Sequence, residues 1–232
     1  MRDELADFSR HTQVYQRYDE VGHGVQSTDF RRILRDFDVS TALPLLMFLE
    51  LEAGLSPDQL SASLVLMESF ITRRVFTGEE TKEYNKLFVD IVGALHGLTG
   101  EQVQPALEDK LLSGGGTTRF WPTDDAIMEQ AVSRQVFTTL KTPALRLILE
   151  RLELALRGKK SEDHAIPEGL QIEHVLPQNW AKQWPLLGKA IPENLVLYPF
   201  LAKDEFEPLS DAIRARNEKL HTLGNLTLLK IP

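Results

Sequence analysis

LQIEHVLPQNW (residues 170–180) and LGNLTLL (residues 223–229) are the two stretches on which the reading of this chain turns. The first is short and partly alternating, and Pro177, which has no N–H for a ladder, closes it. The second is rich in Leu with a single Thr. Both suit short strands better than helices. Between them, prolines at 177, 185, 192, 199 and 208 break the chain, and a helix is predicted from about Leu209 to Lys219. This texture predicts a small α+β domain over residues 170–232.

Upstream the pattern is helical. Ser27-Thr28-Asp29 can cap a helix running to about Asp36. Ser56-Pro57-Asp58 is a stronger start, with Pro at the first helical position, where its missing N–H costs nothing. The helix it opens spaces Leu60, Leu64, Met67, Ile71 and Val75 as one stripe. Another is predicted from near Glu79, carrying Tyr84, Leu87, Phe88, Ile91 and Leu95. After Ser113-Gly114-Gly115-Gly116, the run Pro122-Thr123-Asp124-Asp125 starts a further helix. Leu145, Ile148, Leu149, Leu152 and Leu156 form a seam, and Gly158 follows as a stop. GKKSEDHAIPEG (158–169) is polar and reads as a connector. The expectation is a mainly α chain, with a helical bundle domain over 1–160, a connector over 161–169 and the small domain over 170–232.

Hydrophobic residues at 42% and charged residues at 26% describe an ordinary globular chain, not a disordered one. No apolar run spans a bilayer, and the opening MRDELADFSRH is no secretory signal. The absence of cysteine removes disulfides, thiolate zinc sites and cysteine nucleophiles, and fits a reducing cytoplasm. The net charge of −8 offers no basic stripe for nucleic acid. From Ala165 onward, however, seven Lys/Arg nearly balance eight Asp/Glu, so the excess acid lies upstream. Binding depends on the field at the site, not on the total.

His174 is the residue of interest. One reading makes it a partly buried ring satisfied by a single hydrogen bond. The other notes Glu173 before it, Pro177 after it, and Gly224-Asn225 in the second strand-like piece. Imidazole can take a proton from water near neutral pH, carboxylates hold hard cations that stabilise charge on phosphate, and an asparagine can lock a loop. Strand alternation places Glu173 and His174 on opposite faces. At a frayed strand end both can still approach one ion. Arg73-Arg74 reads either as a phosphate contact or as cations favoured near a helix C-terminus. Trp180 and Trp184 read as core, with base stacking the minor alternative. His164 and Lys159-Lys160 read as solvated connector.

IEHVLPQNW followed by LGNLTLL resembles the C-terminal nuclease domain of GmrSD-type modification-dependent restriction endonucleases and SspE-like anti-phage nucleases, of the HNH (ββα-metal) class. LVLMESFITRRVFTGEETKEYNKLF and LRLILERLE resemble helices of the same proteins, so the likeness is strongest at 64–88 and 145–229. The resemblance implies a metal-dependent DNA endonuclease in phage restriction. His174 is then the general base, Asn225 the residue that fixes the catalytic loop, and Glu173 a ligand of Mg²⁺ or Mn²⁺. His221 and Lys230 are candidate phosphate contacts beside Arg73 and Arg74, although His221 serves equally well as packing.

The implied partners are DNA, with modified phage DNA the natural target, and an N-terminal nucleotide-hydrolysing sensor domain. The acidic helical half would pack on that sensor or on a second copy, and no membrane is involved. No DGQQR-like motif or Walker-type loop is found, so the chain is expected to be the C-terminal portion of a longer protein. The family's closing helix, with a further ligand, would follow Lys230-Ile231-Pro232, so the small domain is expected to lack it. The alternative is a non-catalytic DNA- or protein-binding adaptor that keeps the fold. A plain helical interaction module ranks third.

Overall fold

The structure is a computed structural model that describes residues 2–19, 27–115, 119–157, 166, 167 and 169–230. Gly158, Lys159, Lys160 and His164 lie outside the described residues, and so do the side chains expected to cap the helix at Ser27. Among the described residues the chain is mainly α, with twelve α-helices and one two-stranded sheet. It divides into two compact units, Met1–Ile127 and Met128–Pro232. The sequence had drawn its boundary after the leucine seam, whereas this division counts that helix with the second unit.

The first unit contains α1 (Arg2–Asp19), α2 (Ser27–Asp36), α3 (Leu43–Leu51), α4 (Pro57–Thr77), α5 (Tyr84–Leu95) and α6 (Val103–Leu112). α1 packs on α2 and α3, α3 on α5, and α4 on α2 and α6. The start of α4 follows its sequence signals. Ser56 Oγ accepts from the Gln59 backbone amide, Gln59 Oε1 accepts in turn from the Ser56 amide, and Pro57 sits at the first position. Gly78 closes the helix at φ +85°, a left-handed position where a Cβ is strained.

Its buried face differs from the predicted stripe. Met67 and Ile71 are buried, but Ser63, Phe70, Arg74 and Phe76 join them, while Leu60, Leu64 and Val75 are only half-buried. The face is broader than an aliphatic count suggests because a buried arginine occupies part of it. α5 begins at Tyr84 instead of Glu79, and all five expected core residues are buried.

α7 (Asp124–Ser133) starts where Thr123 Oγ1 accepts the Ala126 amide. The second unit continues with α8 (Val136–Thr139), α9 (Thr142–Leu156), β1 (Gln171–His174), α10 (Trp180–Gln183), α11 (Glu193–Leu197), α12 (Ser210–Lys219) and β2 (Leu226–Leu229). The two strands pair antiparallel, with His174 opposite Leu226 and Glu173 opposite Thr227. A small core of Trp180, Leu186, Ile191, Leu195, Leu209 and Ile213 lies between them in sequence.

Two expectations about packing change. Trp180 is fully buried, but Trp184, which follows a single-turn helix, is half-exposed. In α9 the seam is buried at Leu145, Ile148 and Leu149, whereas Leu152 and Leu156 open onto a groove of about 450 Å³ also lined by Leu226 and Leu228.

Candidate functional site

The site forms where β1 ends. Past His174 the Val175 amide still donates to the Asn225 carbonyl at 2.9 Å, and then the chain bends towards Pro177. A bend leaves Leu176 without ladder partners, and the Asn225 side chain supplies them. Its Oδ1 accepts the Leu176 amide at 2.7 Å, and its Nδ2 donates to the Leu176 carbonyl at 3.1 Å and to the Leu220 carbonyl at 2.7 Å. Both amide hydrogens are in use.

The turn that presents Asn225 is fixed in its own right. Buried Thr222 donates through Oγ1 to the Lys219 carbonyl at 2.9 Å, and the Asn225 amide donates to the Thr222 carbonyl at 3.1 Å. Gly224 has nothing within 4 Å of where a Cβ would stand, so space does not demand a glycine there.

The His174 ring is half-buried. Its Nε2 lies 3.0 Å from His221 Nδ1, and the Gln178 amide nitrogen lies 3.4 Å from its Nδ1. Phe137, from α8, meets it edge-on with centroids 4.4 Å apart and stacks on His221 at 5.6 Å and 13°. The Phe137 amide donates to the His221 carbonyl at 3.2 Å, tying α8 to the turn before β2.

Burial holds the His174 ring below its ordinary pKa of 6.5, and the nearby His221 adds to this while Glu173 partly opposes it. That direction favours the neutral ring, the form that accepts a proton. Gln178, beside its Nδ1, is exposed.

The other expected residues separate into distinct environments. Glu173 precedes His174, but alternation turns it to the other face of the strand, opposite Thr227. Among the described residues no group of three or more His, Cys, Asp or Glu is arranged to hold a metal ion. Glu173 thus does not form, with His174 and His221, a ready-made cation site. His221 is half-buried and turns its Nδ1 to His174 Nε2. Lys230 follows β2 and is exposed.

Arg73 and Arg74 belong to the first unit. Arg74 is fully buried and donates to Tyr84 Oη at 3.2 Å and to the carbonyls of Phe120 at 2.8 Å and Glu80 at 2.9 Å. A guanidinium so enclosed has no face for a phosphate, so that reading is withdrawn for Arg74. Arg73 donates to the Pro122 carbonyl at 3.0 Å and pairs with Asp124 at 2.5 Å, fixing the entry to α7.

Two residues of the site escaped the sequence reading. Gln178 stood inside the quoted motif, four residues after His174, and only its side-chain placement marks it. Phe137 lies in a stretch assigned to the other domain, and nothing local in the sequence signals it.

Residues 121–232 match the family described as GmrSD restriction endonucleases, C-terminal domain. That span holds both strands, Asn225, His221 and also Phe137. No curated protein and no solved structure matches the chain.

Proposed function

We propose that residues 121–232, a C-terminal domain of the GmrSD restriction-endonuclease type, hydrolyse phosphodiester bonds of DNA with His174 as the general base. One observation carries this reading: a half-buried imidazole stands at a strand end whose following loop is held by the three side-chain bonds of Asn225. An O–H bond of water breaks as its proton moves to His174, and the oxygen attacks phosphorus. A phosphorus–ester oxygen bond breaks, and the leaving oxygen takes a proton from solvent. A positioned base of this kind contributes about 10²–10⁴-fold. Asn225 touches no reacting atom in this scheme and is a positioning residue.

A divalent cation, Mg²⁺ or Mn²⁺, belongs to the proposal because it would neutralise charge on the phosphate. Glu173 is the acid nearest the base, but the described donors do not complete a site, so no step is assigned to an ion. Restriction of modified phage DNA in the cytoplasm, under control of a nucleotide-hydrolysing sensor, is the setting proposed. The same incomplete donor set favours the second reading, an adaptor that binds DNA without cutting it.

Plasmid nicking in Mg²⁺ or Mn²⁺ decides between the two. The nuclease reading requires cutting that His174→Ala reduces at least 100-fold with folding retained. DNA binding without cutting, in this chain and in one extended at its C-terminal end, supports the adaptor. Cutting that survives His174→Ala removes His174 as base.

A further inference from the structure

Two imidazoles in hydrogen-bond contact need one proton between them, and the neighbours of the pair say where it sits. We propose that His221 is the positioning residue that fixes the tautomer and orientation of His174, an inference that rests on His174 being the base. An amide nitrogen only donates, so Gln178 Nε2, 3.4 Å from His174 Nδ1, marks that nitrogen as the acceptor. The proton of His174 then lies on Nε2 and is donated to His221 Nδ1 at 3.0 Å. His221 in turn carries its own proton on Nε2.

Phe137 prevents either ring from turning. It lies nearly parallel to His221 and edge-on to His174, and the two imidazoles themselves cross at 79°. The lone pair of His174 Nδ1 is thereby held towards exposed Gln178, whose amide a water displaces before it gives up its proton there. When a water proton reaches Nδ1 the ring becomes a cation, and its Nε2–H bond to His221 becomes charge-assisted and stronger. Orientation by a fixed partner is how a base keeps the right nitrogen free.

A long-range ¹H–¹⁵N histidine spectrum of the whole 232-residue chain tests this without requiring activity. The wild type should show His174 protonated at Nε2. His221→Phe keeps an aromatic ring against Phe137 but offers no acceptor, so His174 should become a tautomer mixture. His221→Gln, whose carboxamide oxygen accepts, should restore the single tautomer. A His174 protonated at Nδ1 in the wild type, or a tautomer unchanged in His221→Phe, overturns the inference.

Plasmid nicking by the same variants with Mg²⁺ or Mn²⁺ gives the second readout. His221→Phe should lower kcat about tenfold or more with KM within about twofold, and His221→Gln should recover most of the loss. A raised KM with unchanged kcat would make His221 a phosphate contact and sink the positioning role. If His174→Ala cuts normally while the tautomer shift is observed, the base assignment fails and the hydrogen bond stands. If His174→Ala is inactive and the tautomer does not move, the base stands and the role of His221 fails.

Discussion

Asn225 is a residue whose chemistry cannot be traded for size. Its one acceptor and two donors meet one amide and two carbonyls, a complement that neither Asp nor Leu reproduces. Asn225→Ala should cost about 2 kcal/mol in urea unfolding of the second unit, because three backbone groups lose partners. Asn225→Asp should cost more at neutral pH, since a carboxylate would face two carbonyl oxygens; equal stability of the two variants would contradict the bonding described.

His174 gives a prediction of opposite character, one that depends on pH. Its folded pKa lies below 6.5, so as pH falls through 6.5 the unfolded chain takes up a proton before the folded one does. Stability therefore declines between pH 6.5 and the lower folded value, and the contribution is flat above 6.5. His174→Gln should flatten that part of the acid limb, measured by unfolding midpoints at several pH values. Much of this site was legible in the sequence because His174 ends one strand-like motif and Asn225 directly precedes the other. His221 was legible only as a residue, since no spacing rule says that two rings 47 positions apart share a hydrogen bond.

Among the elements, α4 shows where periodicity stops being informative. Its start was readable because Ser56 and Pro57 are local signals. Its buried face was not, because burying a cation depends on partners from elsewhere: Tyr84, the Glu80 carbonyl and the Phe120 carbonyl. The rings of Phe70, Tyr84 and Phe120 also lie 5.6 Å from the guanidinium carbon. Arg74→Leu should therefore destabilise the first unit by about 3 kcal/mol, despite swapping a charge for an aliphatic group inside a core, because the buried Tyr84 hydroxyl and two carbonyls lose their shared donor. A chain as stable as wild type in urea would show that the aromatic surroundings alone hold this helix. α9 is the complementary case. Its leucine repeat predicts a helix correctly, yet Leu156 is 81% exposed, because a periodic stripe shows which face is apolar and not how far along it the neighbouring elements reach.

At the scale of the whole molecule, a net charge of −8 sets the demand that any DNA contact be local. Beside Asn225 a groove of about 470 Å³ is lined by Arg216, Lys219, Leu176 and Thr222. Arg216 is committed to the Trp184 carbonyl and to the Trp180 ring, whereas Lys219 is exposed and holds only the Val132 carbonyl among its described bonds. If DNA uses this groove, Lys219→Gln should lower the slope of log affinity against log salt by about one, with cutting chemistry unaltered; an unchanged slope would place the strand elsewhere. The division of the chain carries the last consequence. Phe137 on α8 walls the His174–His221 pair, and α9 packs on β2 while burying Leu145, Ile148 and Leu149. The polar stretch after α9 looked like a boundary because composition marks where a linker can run, but the surface that completes a two-stranded sheet can come from before that linker. A fragment over 128–232 should then retain cooperative unfolding and the His174 tautomer, whereas one over 161–232 loses α9, the helix that packs on β2, and leaves a two-stranded sheet that is marginal in water. Loss of the histidine signature in the shorter fragment alone is the expected result, read in the same ¹H–¹⁵N spectrum. Equal spectra from the two fragments would mean that the core around Trp180 supports the hairpin unaided, and that α8 and α9 add nothing to the geometry of the base.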